Sequence, residues 1–221
     1  MFSTGPVLAH KDDYLADTFV YVTLDGGELE LEYFLDGHFD PRALGHHFGA
    51  EYGFTNHLMG DVAARWLQNS GGPTFFHEGF VEVRYRFGEE NQYIVDPAVS
   101  LEYHFEKDPD TAQPHHLLEP RLVLSKDFGG CNLTLNVSYA VDLDTPKASA
   151  PEFAVGFRSP AFGPFQAGLE LRRELVTENA TNLIPQVWMH LSEDAYLKLG
   201  VAKNLAGGHE SFVRLALEVE F

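Results

Sequence analysis

The fold class is decided by one stretch, CNLTLNVSYAVDLD, residues 131–144. From Leu133 to Leu143 apolar residues occupy every second position, and Asn, Thr and Ser fill most positions between them. Period-two alternation is typical of a β-strand. Eleven residues at about 3.3 Å each span roughly 36 Å, whereas strands of globular proteins mostly have about 5–6 residues. Tilted by about 40°, such a strand rises roughly 28 Å, which is close to the apolar band of a membrane barrel.

The same alternation recurs along the rest of the chain, separated by short turn sequences. FVEVRYRF, residues 80–87, and VSLEYHFEK, residues 99–107, are the clearest further examples. We count about twelve such segments and almost no helical pattern, and no composition break divides them. The sequence therefore predicts one β-barrel domain over residues 27–221, preceded by a lead-in over residues 1–26. Within the lead-in, TFVYVTL at residues 18–24 is either an extra N-terminal strand or part of the lead-in.

Composition excludes several classes of protein. The formal net charge is −18, from 33 acidic and 15 basic residues, and a nucleic-acid partner needs a basic face. The only cysteine, Cys131, rules out an intrachain disulfide and a cysteine-rich metal site. No run approaches the roughly 20 apolar residues of a membrane helix. Residues 1–18 have no charged-then-apolar signal, so we expect a signal peptide to be absent from this sequence.

The polar face of the strands mixes glutamate and arginine with small residues, as a confined barrel interior requires, because buried charges must be paired. Most basic residues within strands are arginine, which pairs with carboxylates through a planar fork. We therefore expect the apolar face to point outward to lipid and the polar face to line a lumen. The predicted lumen residues are Glu28, Glu30, Glu32, Glu51, Asp61, Arg65, Glu82, Arg84, Arg86, Glu102, His104, Glu106, Arg121, Arg158, Glu170, Arg172, Lys198, Arg214 and Glu218.

The last segment, RLALEVEF at residues 214–221, alternates to its final residue. It resembles the closing strand of bacterial outer-membrane β-barrel proteins, which end in Phe preceded by apolar residues at every second position. EYGFTNHL, residues 51–58, resembles a periplasmic turn unit of porin-like proteins. The resemblance implies that the last strand pairs with the first, and that the barrel-assembly machinery reads an assembly signal whose residues are Leu215, Leu217, Val219 and Phe221.

Together, these observations predict an all-β fold: a closed antiparallel up-and-down transmembrane β-barrel of about twelve strands in the bacterial outer membrane. Its partners would be the lipid bilayer, the barrel-assembly machinery, and small solutes or ions. The predicted function is passive diffusion with a mild preference for cations, since the lumen face has an acidic excess. Three alternatives stay open. One is a non-conducting structural or partner-binding barrel with a salt-bridged lumen. The others are an outer-membrane lipid hydrolase and a soluble β-sandwich or lipocalin-like binder.

No cofactor, metal or enzymatic activity is predicted. Adjacent residues on a strand face opposite sides, so the pairs His46–His47 and His115–His116 are poor chelates. An outer-membrane lipid hydrolase would need a serine near a histidine. Ser100 and His104 share a face but lie about 13 Å apart along a strand, and no GxSxG motif is present.

Overall fold

A computed structural model gives the fold. It describes residues 13–16, 18–39, 42–107, 113–145, 148–175, 180–207 and 211–221, with the side chains of residues 148–150 excepted. Among these residues, no helix is long and apolar enough to span a membrane.

The described ranges contain twelve strands, each paired antiparallel with its neighbours in chain order. The last strand pairs with the first, so the sheet closes into a barrel, as predicted from the sequence. The strands are β1 (Leu29–Phe39), β2 (Arg42–Thr55), β3 (Leu58–Asn69), β4 (Thr74–Arg86), β5 (Asp96–Lys107), β6 (Pro114–Phe128), β7 (Cys131–Asp142), β8 (Ala148–Arg158), β9 (Phe165–Glu174), β10 (Thr181–His190), β11 (Ala195–Ala206) and β12 (Phe212–Glu220).

The two ends of the barrel differ in the connections that they carry. At the terminal end β1 begins and β12 ends, and the turns β2–β3, β4–β5, β6–β7, β8–β9 and β10–β11 lie there. The opposite end, called the far end below, carries the other connections. There, Arg42 to Gly45 begin β2 and pair with β1. Paired backbone groups satisfy each other whatever side chain they carry.

The seam between β1 and β12 closes the barrel with backbone and side-chain contacts. The Leu29 amide donates to the Phe221 carbonyl at 3.2 Å, and the Phe221 amide donates to the Leu29 carbonyl at 2.8 Å. Further along the seam, Asp36 is paired with Arg214 in the ladder. Both Asp36 oxygens accept from the Arg214 guanidinium at 2.7 Å. The last strand is thus the closing strand that the resemblance to outer-membrane barrels implies.

Apolar side chains are exposed and charged side chains are buried, which is the reverse of a soluble protein. Val62 and Val81 are 56% and 51% exposed on the outer face, whereas Glu82 and Arg84 on the inner face are each 2% exposed. An apolar exterior of this size would be unstable in water and suits a lipid environment.

Aromatic residues cluster toward both ends of the exterior. Toward the far end a series of ring contacts runs across five strands, with centroids 4.8 to 6.0 Å apart, and joins Tyr33, Phe48, Trp66, Phe76 and Phe105. Near the terminal end, Tyr52 packs on Phe54 and Tyr85 on Phe87. Such girdles are typical of membrane barrels, where aromatic rings lie at the two interfaces.

The seam ion pair should contribute strongly to stability. We expect Arg214→Leu to lower the free energy of unfolding by about 3 kcal/mol or more, because it leaves Asp36 as a buried carboxylate without its guanidinium. Urea unfolding in lipid vesicles, followed by tryptophan fluorescence, measures this. Arg173→Leu, at an exposed outer-face position, is the matched control and should change little. Equal unfolding midpoints for the two variants would contradict the expectation.

Candidate solute pathway in the barrel lumen

Of the nineteen residues predicted to line the lumen, thirteen line one cavity of about 380 Å³ inside the barrel: Glu32, Glu51, Asp61, Arg65, Glu82, Arg84, Glu102, His104, Glu106, Arg121, Arg172, Arg214 and Glu218. The cavity reaches the far end, where His38 and Phe212 contribute to its wall.

The cavity wall is strongly acidic. Its described lining includes eleven carboxylates and five guanidinium groups. The guanidinium groups engage carboxylates: Arg121 lies 3.0 Å from Glu102 and 2.8 Å from Glu119. Arg84 lies 2.9 Å from Glu82. Because the acids outnumber the bases by about two to one, the cavity presents a negative interior surface.

The remaining six predicted residues lie outside the cavity, toward the terminal end. Glu28 is half-buried where β1 begins and accepts from the Asp25 amide, and Glu30 is buried beside it. Arg86 donates to the Asn56 carbonyl. The last three, Arg158, Glu170 and Lys198, surround a part of the chain whose path the alternation did not predict.

That part is the inner segment, residues 13–16 and 18–27, which crosses the lumen without joining a ladder. Asn136 of β7 holds it at Phe19, accepting from the Phe19 amide at 2.7 Å and donating to the Phe19 carbonyl at 2.8 Å. The Leu15 amide donates to Gln186 at 3.1 Å, and the Ala16 amide donates to Glu170 at 2.9 Å. The barrel wall therefore supplies the backbone partners that a strand would otherwise provide.

Charged groups of the lumen also hold the inner segment. The Phe19 ring lies between the guanidinium groups of Arg84 and Arg121, 4.2 and 4.1 Å from its centroid. Asp13 lies 2.7 Å from Arg84, and its carbonyl accepts from Lys198 at 2.8 Å. Cation–π contacts gain strength where water is excluded, so these contacts fix the inner segment at the level of the ion-pair network.

Glycines of the wall give the inner segment room. A Cβ at Gly156 would come within 2.7 Å of the Tyr14 ring. At Gly200 it would overlap Leu15, and at Gly53 it would overlap the Asp25 carbonyl. Close approach of one backbone to another is a recurring use of glycine in strands.

The inner segment fills the terminal half of the lumen with apolar contacts. Tyr14 and Val20 pack with Trp188, and Tyr21 packs with Ala98 and Val123. Burial raises the pKa of the Tyr14 and Tyr21 phenols above the ordinary value. The lumen in this conformation is therefore a cavity in the far half, bounded by the inner segment at its base.

A belt of carboxylates runs across the inner wall of the barrel. Seven neighbouring strands each place one acid directly opposite the acid of the next strand, in the order Glu220, Glu30, Glu51, Asp61, Glu82, Glu102 and Glu119. Like charges directly opposite each other are destabilising unless cations neutralise them. Arg84 pairs with Glu82, and Arg121 pairs with Glu102 and Glu119, which are the last three of these acids.

The sequence analysis missed several residues of this site. Asp36 lies on β1 an even number of residues from Glu30 and Glu32, so the three side chains point to the same face. His77 and Glu78 both reach the cavity because β4 carries an irregularity, with Trp66 paired to Phe76 but Arg65 paired to Glu78. Such a bulge changes the face of the sheet to which the side chains beyond it point. The alternating sequence pattern gave no sign of it.

The histidine pairs lie as predicted, with adjacent residues on opposite faces. His46 points outward, where its Nδ1 lies 2.9 Å from the Tyr33 hydroxyl, while His47 lines the cavity. His104 contacts Glu78 at 2.8 Å and Glu102 at 3.2 Å. Ser100 is not among its partners, so this pair does not form a hydrolase dyad.

Comparison with solved structures gives the same architecture. The chain aligns with the KdgM porin at a TM-score of 0.63 and 10% identity, over 87% of this chain and 99% of that one. It aligns with the NanC porin at 0.62 and 14% identity, over 86% and 98%. The COG4313 outer membrane channel from Pseudomonas putida F1 aligns at 0.58 and 12% identity, over 91% and 98%.

The fold is that of the bacterial outer-membrane porins. This confirms the predicted fold, a closed antiparallel β-barrel of the outer-membrane type. No protein-family model matches the sequence, and no curated protein matches it either.

The two hydrogen bonds between Asn136 and Phe19 can be tested by substitution. We expect Asn136→Ala to speed amide hydrogen exchange in residues 13–27 by about tenfold or more, because two buried backbone groups at Phe19 lose their partner. Exchange in the strands should stay unchanged. Asn182→Ala is the matched control, since Asn182 is also a buried lumen asparagine and its Oδ1 has no partner among the described residues. Equal exchange in both variants would contradict the assignment.

Proposed function

We propose that this protein is an outer-membrane channel through which small solutes and ions diffuse, with a preference for cations. The observation that carries the proposal is the cavity itself, whose lining has eleven carboxylates against five guanidinium groups. A narrow interior with an excess of one charge concentrates counterions and repels ions of its own sign. By analogy with the porin fold, the terminal end faces the periplasm and the far end faces outward.

The charge of the cavity also limits the solutes that we propose. A structure of the KdgM porin is described as a complex with disordered oligogalacturonate, which is a polyanion. A polyanion entering the cavity of this chain would meet the belt of carboxylates, and only five guanidinium groups would oppose them. We therefore propose small neutral or cationic solutes for this chain.

A second candidate function is a non-conducting barrel, and the inner segment is the specific observation that favours it. Residues 13–27 hydrogen-bond to lumen side chains of several strands and bury Tyr14, Leu15 and Tyr21. If the inner segment stays in place, the lumen is closed at its periplasmic half, and the charged interior is a structural core.

We also propose that the barrel-assembly machinery recognises the closing strand. Leu215, Leu217 and Phe221 are 39%, 39% and 69% exposed on the lipid face, and Val219 shares that face. The seam with β1 uses backbone groups of β12, which leaves these apolar side chains available before and during closure.

Single-channel recording in a planar bilayer under a KCl gradient tests the proposed function. We expect small, stable current steps and a reversal potential of the sign that cation selectivity gives. Asn136→Ala, by loosening the inner segment, should raise the conductance or the open probability, whereas Asn182→Ala should leave both unchanged. An anion-selective reversal potential would contradict the proposal. Silence from wild-type protein shown to be folded, together with current from Asn136→Ala, would support the closed barrel instead.

A further inference from the structure

Asp61 is a buried carboxylate whose Oδ1 has no hydrogen-bond partner among the described residues. Its side chain is on the inner face of β3, and the residue is 6% exposed. Its ladder neighbours on both sides are acids, Glu51 on β2 and Glu82 on β4. Glu82 is held by Arg84, but Glu51 has no hydrogen bond or ion pair among the described residues. A buried charge in this position needs a positive partner.

Glu51 belongs to a compact group of oxygens beside Asp61. One carboxylate oxygen from each of Glu30, Glu32 and Glu51 lies within 4.8 Å of the other two. Calcium binds oxygen ligands at about 2.3–2.6 Å, so two ligands on opposite sides of one ion are about 4.6–5.2 Å apart. Magnesium usually keeps several waters and is bound through one or two carboxylates, whereas Ca²⁺ takes six to eight oxygen ligands. A group of several carboxylates therefore suits Ca²⁺ better.

Two basic side chains of the lumen contact other acids. Lys198 pairs with Glu218 and donates to the Asp13 carbonyl. Arg65 lies 3.6 Å from Glu78 and 4.0 Å from Asp36. Among the described residues, no cationic side chain forms an ion pair with Glu51 or Asp61.

A recess in the wall positions the Glu32 carboxylate. A Cβ at Gly49 would come within 2.8 Å of Glu32 Oε2 and 3.6 Å of the Ala63 Cβ. Gly49 and Ala63 are ladder partners on the inner face. The small side chains at these two positions give the Glu32 carboxylate space against the wall, on the strands that carry Glu51 and Asp61.

We propose that Glu30, Glu32 and Glu51 form a Ca²⁺ site in the lumen wall, with Asp61, directly opposite Glu51 in the ladder, as the fourth carboxylate. Four carboxylates offer enough oxygens for most of the six to eight ligands that Ca²⁺ takes, and water in the cavity completes the shell. The bound ion neutralises Glu51 and Asp61, with which Arg84 and Arg121 make no ion pair among the described residues. The inference deepens the proposed function, and rests on it, because the ion enters through the same cavity.

Isothermal titration of CaCl₂ into the folded full-length chain tests the site, after chelator treatment and dialysis in detergent. We expect about one ion per barrel, bound more tightly than Mg²⁺. Asp61→Asn and Glu51→Gln should each weaken binding at least tenfold. Glu119→Gln is the matched control: it also removes one acid of the belt, but Arg121 keeps Glu102 as a partner, so binding should be retained.

Gly49→Ala provides a variant that keeps every carboxylate. It should weaken Ca²⁺ binding by displacing Glu32, and heat-modifiable mobility on an unboiled gel verifies that each variant is folded. Absence of Ca²⁺ binding by the folded wild type would overturn the site, as would equal affinities for the wild type and Asp61→Asn. Equal losses in Asp61→Asn and Glu119→Gln would also overturn it. The reversal potential in KCl with chelator present tests the channel separately, so either proposal can fail alone.

Discussion

The structure depends on one constraint, the need to satisfy every backbone polar group of a sheet whose outer face is apolar. An open sheet would expose two unpaired edges to lipid, where each unsatisfied amide or carbonyl costs several kcal/mol. The seam between β1 and β12 removes both edges, and the reciprocal hydrogen bonds between Leu29 and Phe221 carry it to the last residue of the chain. The terminal aromatic residue is therefore part of the ladder and is not a free end.

Closure of the barrel determines which side chains fill its interior. Once the apolar side chains face outward, the alternate positions of twelve strands converge on a small volume, and their charges must find partners there. Arginines supply some of these partners, as in the Arg214–Asp36 pair. The inner segment supplies others, because Asp13 contacts Arg84 and the Leu15 carbonyl accepts from Arg214. The interior of the barrel and residues 13–27 thus stabilise each other.

The inner segment also bears on the proposed function. It places apolar side chains in the terminal half of the lumen and leaves an acidic cavity in the far half. A wall that binds a peptide segment through side-chain amides and charges can release it at a lower cost than a wall that binds it through a ladder. Under the proposed function, the position of the inner segment decides between a conducting and a closed barrel, and the charge of the cavity decides which ions approach.

Alternation predicted much of this structure, because strand parity is a local property. The eleven-residue run at Leu133–Leu143 indicated membrane-spanning strands, and the parity of β4 put Glu82 and Arg84 on one face, where both line the cavity. Parity could not reveal His77 and Glu78, since a bulge is a departure from the period. The path of residues 13–27 was equally hidden, because Phe19 bonds to Asn136, 117 residues away in sequence.

The central claim is that the inner segment lies inside the barrel. Disulfide trapping tests it most directly, in a Cys131→Ser background. Ala16 and Ala202 pack in one buried cluster, so Ala16→Cys with Ala202→Cys should oxidise to a crosslinked form that a reducing agent reverses on a gel. Ala16→Cys with Val201→Cys, on the lipid face and 43% exposed, should not crosslink. Failure of the first pair to crosslink in folded protein, or equal crosslinking of both pairs, would contradict the account.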